Sequence, residues 1–449
     1  MKLYQYQKKG VRQIEHFEGR ALLADEMGLG KTVQALEWLR RHPNLHPITI
    51  ICPTSLKWVW EHHVSLILKM KAFVAKGQTP PAGKTLNKPQ ILIIDYDILF
   101  YWKDYLKKRK NKALLIDEAH YIKNSSANRS RATKVLAKDI PYIIGITGTP
   151  LTNKPNELWN IISIIRPDKY KQLWPFRWRY CAPKRKPWGW EFNGASHLDE
   201  LHTNLKNTMM IRRLKKNVLT ELPAKTRIVI TVDIKRKEYE EATNNFLSWL
   251  TKISPAAAER AKSAERLVQF GYLKRLTAEL KLKNTLNWIK NFLEEDGGKL
   301  VVFAVHKKII NAIHSKFPKS VVITGETKQK NRKNYITTFQ KDPKFRLFIG
   351  NIQAAGVGIT LTAASSLLFA ELDWVPAQHT QAEDRIHRIG QKAGVMIYYI
   401  IAKNTIEEDL CKLIQKKQKI ISQVLDGKTQ KDDLNIYDEI EKKLKRRRK

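Results

Sequence analysis

Leu22-Leu23-Ala24-Asp25-Glu26-Met27-Gly28-Leu29-Gly30-Lys31-Thr32 runs straight into Val33-Gln34-Ala35-Leu36-Glu37-Trp38-Leu39. A short apolar run meets a turn with two glycines, and apolar residues then recur at helical spacing. Strand, glycine turn and helix N-terminus in that order make an anion cradle, because backbone N–H groups and the positive end of the helix dipole converge on one point. Lys31 adds a full charge there, and the Thr32 hydroxyl can ligate Mg²⁺. The strict phosphate-loop pattern G-x-x-x-x-G-K-[ST] is not met, since Asp25 stands where its first glycine belongs. The alternative is a tight strand-to-helix turn that merely needs glycine, and the rest of the chain must decide between them.

Outward from this stretch, the first third of the chain reads as α/β. Strand-like runs over Ala21–Ala24, Ile48–Cys52, Gln90–Asp95, Ala113–Asp117 and Tyr142–Thr147 are continuously apolar rather than alternating, as parallel strands buried on both faces are. In such sheets functional residues gather at the carboxyl ends of the strands. Gly28–Thr32, Asp117–His120 and Thr147–Pro150 occupy those positions. Leu114-Leu115-Ile116-Asp117-Glu118-Ala119-His120 ends an apolar strand on two adjacent carboxylates. Phosphoanhydride hydrolysis needs Mg²⁺ near the β- and γ-phosphates and a water aimed in line. Asp117 suits the metal shell and Glu118 the water; a strand ending in solvated acids is the alternative.

A second α/β pattern begins near Leu276, with strands over Lys299–Val305, Ser320–Thr324, Arg346–Gly350, Ser366–Leu372 and Val395–Ala402. Within it lies Gln381-Ala382-Glu383-Asp384-Arg385-Ile386-His387-Arg388-Ile389-Gly390-Gln391. On a helix, Gln381, Arg385 and Arg388 share one face. Arginines supplied across a cleft can neutralise charge on a transferred phosphoryl group, although a solvated basic face would look the same. The fold class expected is therefore α/β, with two parallel-sheet lobes and helical protrusions between them. The expected divisions are 1–165, a basic helical middle over 166–275, 276–425 and a basic tail over 426–449. Leu198 to Val218 and Lys237 to Trp249 read as helical.

The 449 residues carry 82 Lys+Arg against 43 Asp+Glu, a formal charge of +39. That excess favours a polyanionic partner, nucleic acid ahead of membrane, with lysine-rich codon usage as the alternative. Cys52, Cys181 and Cys411 form no C-x-x-C pair, which supports neither a zinc site nor a disulfide framework. The N-terminus lacks an apolar signal core and no apolar run reaches membrane-spanning length, so a soluble intracellular protein is expected, in cytoplasm or nucleus. His62 and His63 read as helix surface.

These residues resemble the Swi/Snf-type ATPases of helicase superfamily two. Asp25 to Thr32 matches that family's first motif, in which an Asp explains the missing glycine. Leu3, Tyr6-Gln7 and Gly10-Val11 resemble its upstream glutamine motif. Ile51-Cys52-Pro53-Thr54-Ser55-Leu56 with Trp58 and Trp60-Glu61, Asp117-Glu118-Ala119-His120, and Gly145-Ile146-Thr147-Gly148-Thr149-Pro150-Leu151 match the motifs that follow. Arg212-Arg213-Leu214-Lys215-Lys216-Asn217-Val218 and Leu222-Pro223-Ala224-Lys225 match the linker between lobes. Val302-Phe303-Ala304, Thr324-Gly325-Glu326-Thr327 with Arg332 and Phe339, Ala355-Gly356-Val357-Gly358-Ile359-Thr360-Leu361, Asp373-Trp374-Val375-Pro376 and the arginine motif complete the series. The match covers about Leu3 to Gln418. Arg179-Tyr180-Cys181 followed by Lys186-Pro187-Trp188-Gly189-Trp190 is most similar to the annealing-helicase branch.

The resemblance implies two RecA-like lobes, ATP and Mg²⁺ as cofactors, and a monomeric, DNA-dependent ATPase that translocates on duplex or forked DNA without reading its sequence. It places ATP contacts along Asp25, Glu26, Met27, Gly28, Leu29, Gly30, Lys31 and Thr32, with Gln7 at the adenine and Gly358 and Gln381 from the second lobe. Asp117 and Thr32 would set Mg²⁺, and Glu118, Arg385 and Arg388 would join Asp117 in catalysis. Thr54, Lys57, Asn153, Thr324, Lys328, Arg332 and Trp374 are DNA-contact candidates by motif position. Trp178, Trp188 and Trp190 either stack on bases at a fork or pack as a hairpin. The tail 426–449 is a polyanion-binding arm, an address or simply solvated. A strand-separating helicase and a recruitment subunit with incidental ATPase are the competing functions.

Overall fold

The computed structural model describes residues 3–81, 90–151, 154–187, 189–219, 221–244, 265–295, 298–355 and 359–427. Gly358, Asn153, Trp188 and the tail beyond 427 lie outside them. The described residues fall into two units, 3–221 together with 419–427, and 222–418. The basic middle segment divides between the two at Glu221.

In the first unit the strands are β1 (Arg20–Leu23), β2 (Ile48–Cys52), β3 (Ala72–Val74), β4 (Ile91–Asp95), β5 (Ala113–Asp117), β6 (Tyr142–Ile146), β7 (Lys184–Lys186), β8 (Gly189–Glu191) and β9 (Met210–Ile211). Seven of them form one sheet in the order β3-β4-β2-β5-β6-β1-β9, parallel throughout. Every residue of β2, β4 and β5 is buried, as their unbroken apolar runs require once helices cover both faces. β7 and β8 make a separate antiparallel hairpin.

The second unit holds β10 (Lys225–Val232), β11 (Leu300–Ala304), β12 (Ser320–Ile323), β13 (Leu347–Asn351), β14 (Ser366–Phe369) and β15 (Val395–Ala402). They form a six-stranded parallel sheet ordered β10-β15-β14-β11-β13-β12. Its core is rich in Phe303, Phe348, Phe369, Ile397 and Tyr399. The α/β class with two parallel-sheet lobes is thus the observed one. Among the described residues no helix is long and apolar enough to cross a membrane.

One segment departs from the sequence reading. Leu198 to Val218 is not continuously helical: a helix over Leu198–Thr208 gives way to β9, and a short helix follows at Lys215–Val218. Met209-Met210-Ile211 is too short an apolar run for periodicity to classify. Tertiary pairing decides it, because Leu22 N donates to Met209 O at 2.9 Å and Ala24 N to Ile211 O at 2.8 Å. β9 thereby satisfies the backbone of β1, which would otherwise be an open sheet edge.

Candidate active site

The glycine turn sits where β1 ends and the helix Lys31–Arg41 begins. Gly30 caps that helix at φ 70°, ψ 42°, a left-handed conformation that favours glycine, and a Cβ there would lie 2.5 Å from Gln7 Nε2. Met27 and Leu29 are buried side chains, so they offer the cradle backbone rather than side-chain groups. Gly28 and Thr32 are half-buried. Gln7 approaches the turn by donating to Leu29 O at 3.4 Å, and its own position is set by Tyr4 N at 3.0 Å. Lys31 Nζ donates to Asp25 O at 2.8 Å and Glu26 O at 3.4 Å. Burial depresses its pKa, with the Glu118 and Asp25 charges opposing the shift.

Asp25 and Glu26, expected among the nucleotide contacts, both have their carboxylates engaged within the protein. The Asp25 carboxylate is fully buried and faces inward. It accepts Arg213 Nε at 2.9 Å and Arg213 Nη2 at 2.6 Å, and Gln34 Nε2 at 3.0 Å. Glu26 Oε2 accepts Lys215 N at 2.6 Å. Both acids clamp the segment 212–215 onto the loop. Arg212 completes the clamp, donating to Ala24 O at 2.9 Å and Gly148 O at 3.2 Å while pairing with Asp426 Oδ1 at 2.8 Å. The sequence reading places Arg212 and Arg213 only in a linker motif. A carboxylate at a buried strand end does call for a buried cation, but no spacing rule joins Asp25 to a partner 188 positions away.

The acidic pair stands at the end of β5. Asp117 Oδ2 accepts Trp60 Nε1 at 2.7 Å and its Oδ1 accepts Glu118 N at 3.0 Å. Burial, with the Glu118 charge second, pushes the Asp117 carboxyl up. Glu118 takes a left-handed backbone at φ 48°, ψ 52°. That costs a non-glycine residue energy and is the sort of strain found at functional sites. Its Oε2 lies 3.3 Å from Thr147 Oγ1 and 3.2 Å from His120 Nδ1. His120 Nδ1 and Thr147 Oγ1 are themselves 3.1 Å apart. The strand ends β1, β5 and β6 thus converge: a Cβ on Gly148 would sit 2.4 Å from Met27 Cγ and 3.2 Å from Lys31 Nζ.

The second unit carries the arginine motif, where a further correction applies. The helix Pro376–Glu383 ends before the arginines, so Gln381, Arg385 and Arg388 do not share a helical face. Arg385 Nε instead folds back onto Gln381 O at 3.1 Å and its Nη1 reaches Ile359 O at 3.3 Å. Arg388 Nη1 donates to Thr360 Oγ1 at 2.8 Å and Ile359 O at 3.4 Å. Glu383, the last residue of that helix, holds its carboxylate at the hub of a buried network: Lys225 and Arg227 each bond it at 2.8 Å, as does Tyr399 OH. Those two cations hold the Glu383 carboxyl far below the ordinary range despite its burial. A depressed carboxylate contributes stability above its unfolded pKa, near 4.5, and loses it as pH falls below that value. Glu383→Gln should therefore cost the second unit about 3 kcal/mol at pH 7. The gap to the parent should narrow steadily below about pH 4.5 in urea melts; a gap independent of pH would contradict the assignment.

Among the DNA-contact candidates, Thr54 Oγ1 donates to Asp97 Oδ2 at 2.9 Å at an exposed position. Lys57 donates within the lobe to Asp95 Oδ2 at 2.5 Å and Ala75 O at 3.1 Å. Arg332 donates to Thr327 O at 3.0 Å and Thr324 O at 2.9 Å, bracing the loop that carries Thr324. Lys328 is exposed at the start of the helix Gln329–Lys341. Trp374 is half-buried against Phe270, with Lys274 Nζ 5.3 Å from its ring centroid.

The chain matches the SNF2-related domain over residues 6–287 and the helicase conserved C-terminal domain over 281–390. A Xenopus laevis relative, SWI/SNF-related matrix-associated actin-dependent regulator of chromatin subfamily A-like protein 1, is 34% identical over 94% of this chain and 44% of its own length. The human protein named DNA annealing helicase and endonuclease ZRANB3 is 33% identical over 96% of this chain and 41% of its own. The chain thus spans under half the length of both. The Sulfolobus solfataricus SWI2/SNF2 ATPase core solved in complex with dsDNA aligns with 99% of this chain and 96% of its own, at 25% identity and a TM-score of 0.46. With a family domain matched over more than half its length and site residues gathered at the ends of β1, β5 and β6, the chain belongs to the SNF2-related family, the Swi/Snf-type ATPases of helicase superfamily two, and its relatives lie in the annealing-helicase branch.

Proposed function

We propose that this protein is a DNA-dependent ATPase that uses ATP hydrolysis to move along duplex or forked DNA, remodelling or reannealing it. The observation that carries the reading is the meeting of Lys31, Asp117 and Glu118 around the glycine turn. There a half-buried ammonium is held by carbonyl oxygens at 2.8 and 3.4 Å rather than by a carboxylate. Such a cation is suited to an incoming phosphate. Lys31 would hold the β- and γ-phosphates. Among the described residues no group of three or more His, Cys, Asp or Glu could hold a metal alone. Mg²⁺ takes one or two protein ligands and completes its shell with phosphate oxygens and water. Thr32 and Asp117 would hold it, and when bound it neutralises charge building on the phosphate oxygens. Glu118, fixed by Thr147 and His120, would orient the attacking water.

Arg385 and Arg388 would complete the site from the second lobe during the cycle, and lobe closure would advance the DNA. Arg388→Ala should leave ATP affinity within about threefold of the parent while hydrolysis falls at least about 10²-fold, as expected of a residue used in the transition state. Lost ATP affinity with unchanged hydrolysis would contradict that role. DNA as the polyanion is supported by the +39 charge and by the human relative's name. ATP turnover should be compared on duplex, single-stranded and forked DNA, with annealing and unwinding read in parallel. Annealing stimulated by ATP supports the proposal; net unwinding would mark a strand-separating helicase, and turnover indifferent to DNA a recruitment subunit.

A further inference from the structure

Trp174, Trp178 and Trp190 keep 59%, 47% and 52% of their surfaces in solvent. A contiguous exposed apolar patch rimmed by polar groups marks an interaction site. These three rings are contiguous through Phe192, which is 8% exposed. Trp174 meets Phe192 at 5.6 Å between ring centroids, Phe192 meets Trp178 at 5.6 Å, and Trp178 meets Trp190 at 4.7 Å, edge to face at each step. The result is a row of aromatic rings on the surface of the first unit.

The row is built on a fixed base. Trp174 and Trp178 are one turn apart on the helix Leu173–Tyr180. Trp190 lies on β8, directly opposite Arg185 of β7. So short a hairpin has little stability of its own. Its root is tied down by Gly194 N to Cys181 O at 3.0 Å, Ser196 N to Tyr180 O at 3.1 Å and Ala182 N to Ser196 Oγ at 3.1 Å. Arg177 lies 5.4 Å from the Trp174 centroid and 5.6 Å from that of Phe192, and Asn156 Oδ1 holds its Nε at 3.0 Å.

Charge identifies the occupant. Residues 177–191 hold five basic side chains against one acid, Glu191; Arg179 is paired with Glu200, which leaves Arg177, Lys184, Arg185 and Lys186. All three residues of β7 are exposed. A partner must offer flat faces to the rings and a line of negative charge to the neighbouring strand. Unpaired nucleic acid does both, whereas a duplex hides its base faces in its own stack. We infer that this aromatic row is a stacking platform for the unpaired strand of a DNA junction, with Lys184, Arg185 and Lys186 on its phosphates.

The inference rests on the DNA-motor reading, and the test separates the two. The 449-residue protein with Trp178→Ala and Trp190→Ala together is titrated, by fluorescence anisotropy, into labelled oligo(dT) and into a blunt duplex. Stacking carries no sequence requirement, so oligo(dT) suffices as probe. The dissociation constant for oligo(dT) should rise at least about tenfold while that for blunt duplex stays within about twofold. The paired Trp178→Phe and Trp190→Phe variant keeps aromatic faces and should restore most of the oligo(dT) affinity. Unchanged oligo(dT) binding in the alanine pair would overturn the inference, as would a phenylalanine pair as weak as the alanine pair. So would a change in solution mass of the alanine pair, which would assign the row to contacts between protein copies. Equal loss on both DNAs would also overturn it. ATP turnover of the parent protein that ignores duplex DNA would sink the motor reading and leave these binding results to stand or fall separately.

Discussion

Lys31→Ala should lower ATP turnover by at least about 10³-fold, with the fold intact. The scale follows from removing a preorganised cation from the phosphates in a partly buried site, where charge is poorly screened. The ammonium is aimed by two carbonyl oxygens of its own loop and lies near enough to the Glu118 and Asp25 charges to feel both. Because burial already disfavours its charge, deletion should not destabilise the first unit, and the melting temperature should hold or rise. The check is ATP hydrolysis beside thermal unfolding. Normal turnover would remove Lys31 from the site, and lost turnover with lost folding would say nothing specific about phosphate binding.

The largest stability effect should come from Asp25→Ala. Deletion would strand the Arg213 guanidinium, whose Nε and Nη2 both bond that carboxylate, in a buried setting. Breaking a buried pair by removing one partner costs about 3–5 kcal/mol. For a unit of this size that lowers the melting temperature by about 10 °C. The damage should also reach the nucleotide, since Arg213 ties Tyr6 O and Gln34 Oε1 to the same cluster and Gln7 follows Tyr6. Asp25→Asn, which keeps the shape and one acceptor, should lose less. Thermal melts of both variants decide the matter: equal losses, or none, would mean Asp25 is not the clamp described.

These two residues show what the sequence could and could not disclose. Lys31 stands out in the sequence, because a glycine turn between strand and helix is a ready-made anion cradle. Asp25 is equally visible, but its side-chain partner is not: the carboxylate turns toward Arg213, 188 positions away. The five-residue strands β2, β4, β5 and β11 were legible, since continuous apolar runs are what burial on both faces demands. β3 and β9, three and two residues long, were not, because pairing with β4 and β1 makes them strands. The arginine motif was found by its residues and mistaken in its geometry. Helical spacing continues past Glu383, but the buried ion-pair hub there is anchored by β10 residues more than 150 positions earlier. The sequence reading also left Trp178 and Trp190 balanced between packing and display; the structure has them doing both, in mutual contact and half in solvent.

The most direct measurement is the rate of ATP hydrolysis by the unaltered protein with and without a blunt duplex of arbitrary sequence. Stimulation that saturates with duplex, survives a change of sequence and falls steeply as salt rises is the expected result, because phosphate contacts release counterions. A rate that duplex DNA leaves unchanged, or that depends on the sequence supplied, would contradict it.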